Sequence, residues 1–134
     1  MAICKRRRKV TDMEPTAMPP AQIQCIERAV HSETRGIADG PDLVVAVILN
    51  RANHPKFPDT PCEVVYQRNQ FTGIKKVTTP SKASVHATKL ALENAELLNK
   101  DILYFHNTSV KPSWSHRLRL LIKKGRHLFY GEHK

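Results

Sequence analysis

Apolar positions along the chain fall into blocks whose period changes from one block to the next. Between Ala21 and Thr34, the residues Ile23, Ile26, Ala29 and Val30 recur at helical spacing and mark one face of an amphipathic helix. Gly36 and the run Ala38-Asp39-Gly40-Pro41 stop it. From Leu43 to Arg51 the chain is apolar almost all round and starts from Pro41, a favoured first-turn residue. That predicts a helix buried in the core behind the first one. A short helix from Pro61 to Gln67 follows, with Thr60 as its cap and Val64 and Val65 facing inward, and Gln70-Phe71-Thr72-Gly73 reads as a short extended piece. Residues 81–98 predict a longer amphipathic helix, capped by Ser81, that buries Ala83, Ala87, Leu90, Ala91 and Leu98. Its role is packing, and His86 within it reads as a surface or satisfied histidine. Ile102-Leu103-Tyr104-Phe105 and Leu128-Phe129-Tyr130 are β-prone and predict a pair of edge elements beside the helices. Between them, Pro112 to Gly125 predicts a loop that becomes a short basic helix ending at Gly125. The class is α+β, mainly helical, in a single domain.

Composition narrows the partners more than the fold. A chain of 134 residues with 40% apolar content can bury one core without staples. Residues 1–19 hold Lys5-Arg6-Arg7-Arg8-Lys9 and then Pro15 and Pro19, with little to bury, which predicts a mobile basic arm ahead of a domain spanning 20–134. The formal net charge of +10 calls for an acidic partner: nucleic acid, an anionic membrane face or an anionic polymer such as a bacterial envelope. A nucleic-acid-binding module would explain the charge and the arm. No helix-turn-helix, RNP or zinc-finger pattern accompanies them, so nucleic acid is not the expected partner.

Cysteine usage and the histidines argue against a metal. Cys4, Cys25 and Cys62 are odd in number and share no Cys-x-x-Cys spacing, so neither a disulfide framework nor a thiolate zinc site is indicated and a reducing compartment of synthesis fits. His31-Ser32-Glu33 with Pro61-Cys62 mimics half of a zinc deaminase signature, but the position of the second cysteine is Val65. There is no His-Glu-x-x-His, and no metal or cofactor is expected. No apolar run is long enough for a signal peptide or a membrane span, so synthesis in the cytoplasm without a signal is expected.

One carboxylate stands out. Glu33 lies three residues beyond Val30 and seven beyond Ile26, so it borders the buried stripe of the first helix and falls in that helix's last turn. The negative end of the helix dipole and partial burial both favour a carboxyl that keeps its proton near neutral pH, as a general acid needs. The plain alternative is an ion pair with Arg28 or Arg35 at a helix end.

With Glu33-Thr34-Arg35-Gly36, the phrase Val44-Val45-Ala46-Val47-Ile48-Leu49-Asn50-Arg51 resembles the signature of the SleB-type cell-wall hydrolases, the family of spore-cortex-lytic enzymes and related phage lysins. Further matches follow in order: Phe57-Pro58-Asp59-Thr60-Pro61-Cys62-Glu63-Val64-Val65-Tyr66-Gln67, Gln70-Phe71-Thr72, Tyr104-Phe105-His106-Asn107 and Gly125-Arg126-His127-Leu128-Phe129-Tyr130. No single piece is specific, but five in order are. The resemblance implies a lysozyme-like, lytic-transglycosylase-like fold with a groove between lobes. It implies cleavage of the β-1,4 bond between N-acetylmuramic acid and N-acetylglucosamine of peptidoglycan, with Glu33 as general acid and base and 1,6-anhydromuramic acid ends. A hydrolytic muramidase is the alternative, and Asp39, Asp42 and Asp59 are the nearby acids that could then serve as its base.

The same resemblance implies that Gln70, Phe71, Tyr104, Asn107, His127 and Tyr130 bind the glycan. Phe71 reads equally as a core anchor, Tyr104 and Asn107 as a packed aromatic and a turn asparagine, and the sole Trp114 as a sugar platform or a core anchor. The expected setting is a monomeric phage lysin, released through a membrane lesion and drawn to the anionic envelope by its basic surface.

Overall fold

The computed structural model describes residues 18–34, 40–67, 71, 74 and 79–133. Four helices precede a three-stranded antiparallel sheet: α1 (Pro20–Thr34), α2 (Pro41–Ala52), α3 (Pro61–Val65), α4 (Lys82–Glu93), then β1 (Tyr104–Asn107), β2 (Arg119–Lys124) and β3 (His127–Gly131) in the order β1-β3-β2. This is the mainly helical α+β class that the pattern predicts.

α2 is the hub. Its Val44, Val45, Ile48 and Ala52 pack with Ile26, Ala29 and Val30 of α1, Val64 and Val65 of α3, and Ala91 and Leu92 of α4. Its Leu43, Ala46 and Val47 meet Ile102 and Phe129 on the sheet side. A helix touched on both sides can present no polar face, which is why its sequence is apolar all round. At α3 the expected cap forms, with the Thr60 hydroxyl accepting from the Glu63 N–H at 3.2 Å. Met18, within the stretch expected as an arm, is buried in the helical core, and residues 1–17 lie outside the described residues.

Three expectations are corrected. α4 ends at Glu93, with a 3₁₀ turn at Ala95–Leu97, and buries Ser84, Thr88, Ala91 and Leu92, while Ala83 and Leu90 are exposed. The helix is rotated from the face that apolarity alone selects. Ser84 and Thr88 are small enough to let it approach the core closely, and Ser84 shares a hydrogen bond with the capping Ser81 hydroxyl at 2.9 Å.

The second correction is β2. The segment expected as a basic helix is helical only as a 3₁₀ turn at Ser113–Arg117 and then runs extended against β3. Leucine, lysine and arginine tolerate either state, and the open edge of β3 decides the outcome by tertiary pairing. Gly125 turns the hairpin at φ 57°, a conformation that glycine adopts without strain. β3 is thus the central strand, paired with β1 as expected but not an edge.

The third correction is a disulfide. Cys25 of α1 and Cys62 of α3 are bonded across 37 residues of sequence, and Gln22 accepts from the Cys62 N–H at 2.9 Å beside it. Nothing in the spacing signals this pair, because it is the packing of α1 on α3 that brings the two together. Cys4 lies outside the described residues.

Closing a loop of this length stabilises by about 4 kcal/mol in the chain-entropy account. Reduction should therefore lower the melting temperature by about 10–15 °C. The Cys25→Ser variant should melt at the lower value with or without reductant, whereas a wild-type melt that ignores reductant would show that the bond adds nothing.

Candidate active site

Glu33 sits in the last turn of α1 and is half-buried, at the border of the stripe formed by Ile26, Ala29 and Val30. Two fixings hold the helix that carries it. The disulfide at Cys25 joins its middle to α3. In the last turn, His31 Nδ1 accepts from the Ser81 N–H at 3.0 Å, tying this turn to the start of α4. That bond makes Nδ1 an acceptor, so a neutral His31 carries its proton on Nε2. After Glu33 the chain returns to the described residues at Gly40, where a side chain would lie 3.8 Å from Phe129 and 3.5 Å from Lys124.

The sheet brings four of the expected binding residues together as two cross-strand pairs. Tyr104 is opposite Tyr130, and Asn107 is opposite His127. Opposed residues share a face and successive residues alternate, so the two pairs lie on opposite faces of the sheet. On the face of Asn107 and His127, Phe105 stacks on Phe129 at 5.5 Å and meets His127 at 5.7 Å and Phe71 at 5.8 Å. Phe71 and His127 are buried, and Asn107 is exposed at the strand end. With 3% of its surface exposed, Phe71 anchors the core, the second of its two readings.

On the other face, Tyr104, His106, Trp114 and Tyr130 form a cluster. Trp114 lies 5.7 Å from both tyrosines and 5.6 Å from His106. Trp114 and Tyr104 are half-exposed, whereas His106 and Tyr130 are buried. His106 Nδ1 lies 2.8 Å from the Asn107 carbonyl, which can only accept, so Nδ1 donates. In the neutral ring Nε2 then accepts from the Tyr130 hydroxyl at 2.8 Å. Tyr130's donor is thus committed inside the cluster. Gln70, the remaining expected binding residue, lies outside the described residues.

Sequence reasoning quoted Arg51 but gave it no role. It is 3% exposed, and its Nε donates to the Leu103 carbonyl at 2.7 Å. The guanidinium lies 4.9 Å from the Phe57 ring centre, 5.6 Å from Tyr104 and 5.9 Å from Phe71. Burial pulls its pKa down to about 10, which leaves it cationic at neutral pH. An arginine inside an otherwise apolar helix was the available signal.

Comparison with known proteins gives consistent neighbours. Residues 38–130 match the family described as Cell Wall Hydrolase. A spore cortex-lytic enzyme of Halalkalibacterium halodurans is 29% identical over 119 residues, which cover 86% of this chain and 36% of that protein. A spore cortex-lytic enzyme of Bacillus cereus is 28% identical over 119 residues, covering 46% of its length. The chain therefore spans less than half the length of these relatives. Among solved structures, the catalytic domain of the germination-specific lytic transglycosylase SleB from Bacillus anthracis superposes with a TM-score of 0.74 at 27% identity, covering 87% of this chain and 98% of that one. The catalytic domain of Bacillus cereus SleB gives a TM-score of 0.71.

Because Arg51 satisfies a buried carbonyl and fills a ring-lined space, Arg51→Ala should cost about 3 kcal/mol in urea unfolding. Arg51→Lys should recover only part of this, since a compact ammonium cannot lie flat between rings as a guanidinium does. Unchanged stability in the alanine variant would remove Arg51 from this structural role.

Proposed function

The chain belongs to the cell wall hydrolase family, and on that premise we propose that it cleaves the β-1,4 bond between N-acetylmuramic acid and N-acetylglucosamine of peptidoglycan as a lytic transglycosylase. The observation that carries this reading is the match over 98% of a catalytic domain described as a lytic transglycosylase, at 27% identity. Glu33 is the acid in this reading. It donates its proton to the bridging oxygen as the C1–O bond breaks. The resulting carboxylate then takes the proton of the muramic acid C6 hydroxyl, whose oxygen bonds to C1 and closes the 1,6-anhydro ring. Glu33 ends the cycle protonated, and no water is consumed.

Several features support this assignment without a second carboxylate. The C6 hydroxyl is tethered beside C1 and so acts at a high effective concentration. Glu33 stands half-buried in the last turn of α1, at the border of the apolar stripe. A hydrolytic muramidase would need a base for water; of the three acids expected for that role, Asp42 in the first turn of α2 is exposed, Asp59 is half-buried in the loop before α3, and Asp39 lies outside the described residues.

For the glycan, Tyr104 offers a half-exposed ring on one face of the sheet beside the buried Tyr130, and Asn107 an exposed amide at the strand end on the other face beside the buried His127; Gln70 is carried over from the family resemblance alone, and the buried Phe71 supports this wall from the core through Phe105. The exposed Lys123, Lys124 and Arg126 at the β2–β3 hairpin would draw a monomeric enzyme to an anionic envelope. A lysin made in the host cytoplasm and acting on the wall once released through a membrane lesion fits the basic surface and the cell-wall family. No helix among the described residues is long and apolar enough to cross a membrane.

Glu33→Gln keeps the size and hydrogen bonding of the side chain and removes its acidic proton. It should lower the rate of turbidity loss of purified peptidoglycan by about a thousandfold with an unchanged melting temperature. Activity within tenfold of the parent would take Glu33 out of the role.

A further inference from the structure

At the end of α2 remote from the connection that follows Glu33 lies a second concavity. It is a cleft of about 450 Å³ between the loop after α2, the loop before β1 and the ends of β2 and β3. α2 has 12 residues and so is about 18 Å long, which sets this cleft that far from the Pro41 end of the helix.

The walls are built rather than incidental. Asn50 Nδ2 donates to the Asn99 and Ile102 carbonyls, each at 2.8 Å, and Arg51 holds the Leu103 carbonyl, so the loop before β1 is pinned to α2. On the sheet side, Gly131 lets the same loop in. A Cβ there would lie 2.7 Å from the Asp101 carbonyl oxygen, closer than Cβ atoms approach a carbonyl oxygen in proteins.

The charges in the cleft are incompletely matched. Glu132 is already balanced, by Lys56 at 3.3 Å and His54 at 3.4 Å. Arg119 is different. Its Nε is shut off from solvent and has no hydrogen-bond partner among the described residues, an arrangement that costs about 1–3 kcal/mol. Lys100 also lines the cleft, and among the described residues its ammonium makes one hydrogen bond, to the Ala95 carbonyl at 3.4 Å. Asp101 is exposed on the same wall, with its backbone N–H held by Asn99 at 2.8 Å.

Two cations with no acid partner among the described residues, and one carboxylate beside them, define the complement: a planar monoanion that the guanidinium fork can grip, next to a positive or donor group that Asp101 can take. A neutral sugar would leave the cations unmatched. A phosphate dianion would meet Asp101 and Glu132 with like charge. The volume falls within the range of about 300–1,000 Å³ of small-ligand sites.

We propose that this cleft binds the carboxylate of a short peptide. Resting on the wall-cleaving reading for the ligand's identity, the peptide is the stem carried by muramic acid. An extended peptide advances about 3.5 Å per residue, so a four-residue stem spans about 14 Å, most of the length of α2. The cleft then senses whether the strand in the groove bears peptides.

The test uses the free stem tetrapeptide without sugar, titrated into the full chain by heteronuclear NMR. Its fully amidated form and inorganic phosphate serve as further probes. The expected result is saturable shifts of the Lys100, Asp101 and Arg119 signals, at least tenfold weaker binding in Arg119→Gln and in Lys100→Gln, and no binding of the amidated peptide. Lys100 is exposed, so its variant serves even if Arg119→Gln fails to fold. Absence of saturable binding, equal binding by the Lys100 variant, or phosphate binding as tightly as the peptide would each overturn the proposal. The probe has no glycosidic bond, so such a failure leaves the role of Glu33 untouched, and loss of that role leaves the cleft's binding to be read independently.

Discussion

The last turn of α2 holds the molecule together through Asn50 and Arg51. Three carbonyls of the segment entering the sheet, those of Asn99, Ile102 and Leu103, are satisfied by these two side chains. A buried carbonyl without a donor is costly, and the strand that follows has its own pairing to satisfy. A cation suits this position because the helix C-terminus is partially negative and the rings of Phe57, Phe71 and Tyr104 offer negative faces. The desolvation that pulls the guanidinium down to about 10 is the cost of that placement, and it leaves the charge intact. From this joint follow the orientation of β1, the seating of Phe71 against Phe105, and the shape of the cleft beside Asp101.

The helix that presents Glu33 depends on a different kind of constraint. α1 packs on α2 and is further tied at its middle to α3 by Cys25 and at its last turn to the start of α4 by His31. In the proposed reaction the acid serves twice in one cycle, and such rigidity would let it address the bridging oxygen and then the C6 hydroxyl from one place. The sheet has an inner face of stacked phenylalanines and an outer aromatic cluster in which Tyr130 is held by His106.

Much of this was legible in the sequence where the signal is local. Helical periodicity gave α1, the all-round apolarity of Leu43 to Arg51 gave a buried α2, and Thr60 before Pro61 gave the cap of α3. β-prone aromatics gave the pairing of β1 with β3. What failed was decided by distant partners. β2 is a strand because β3 has an open edge. α4 buries Ser84 and Thr88 because small side chains fit the close approach that its neighbours impose, and its apolar Leu90 is left outside. The Cys25–Cys62 bond spans 37 residues with no motif to mark it. Of the candidate site, the place of Glu33 in the last turn of α1 was legible from periodicity, while its role as the acid rests on the proposal. The alternation that sends Tyr104 and Asn107 to opposite faces of the sheet required the register.

The central claim is that the wall-cleaving reaction needs one carboxyl and no activated water. Mass spectrometry of the muropeptides released from purified peptidoglycan, before and after borohydride reduction, tests it most directly. The account predicts muramic acid ends lighter by one water that resist reduction. A digest whose muramic acid ends are all reducible would contradict it and would make the enzyme a hydrolytic muramidase with a base still to be found.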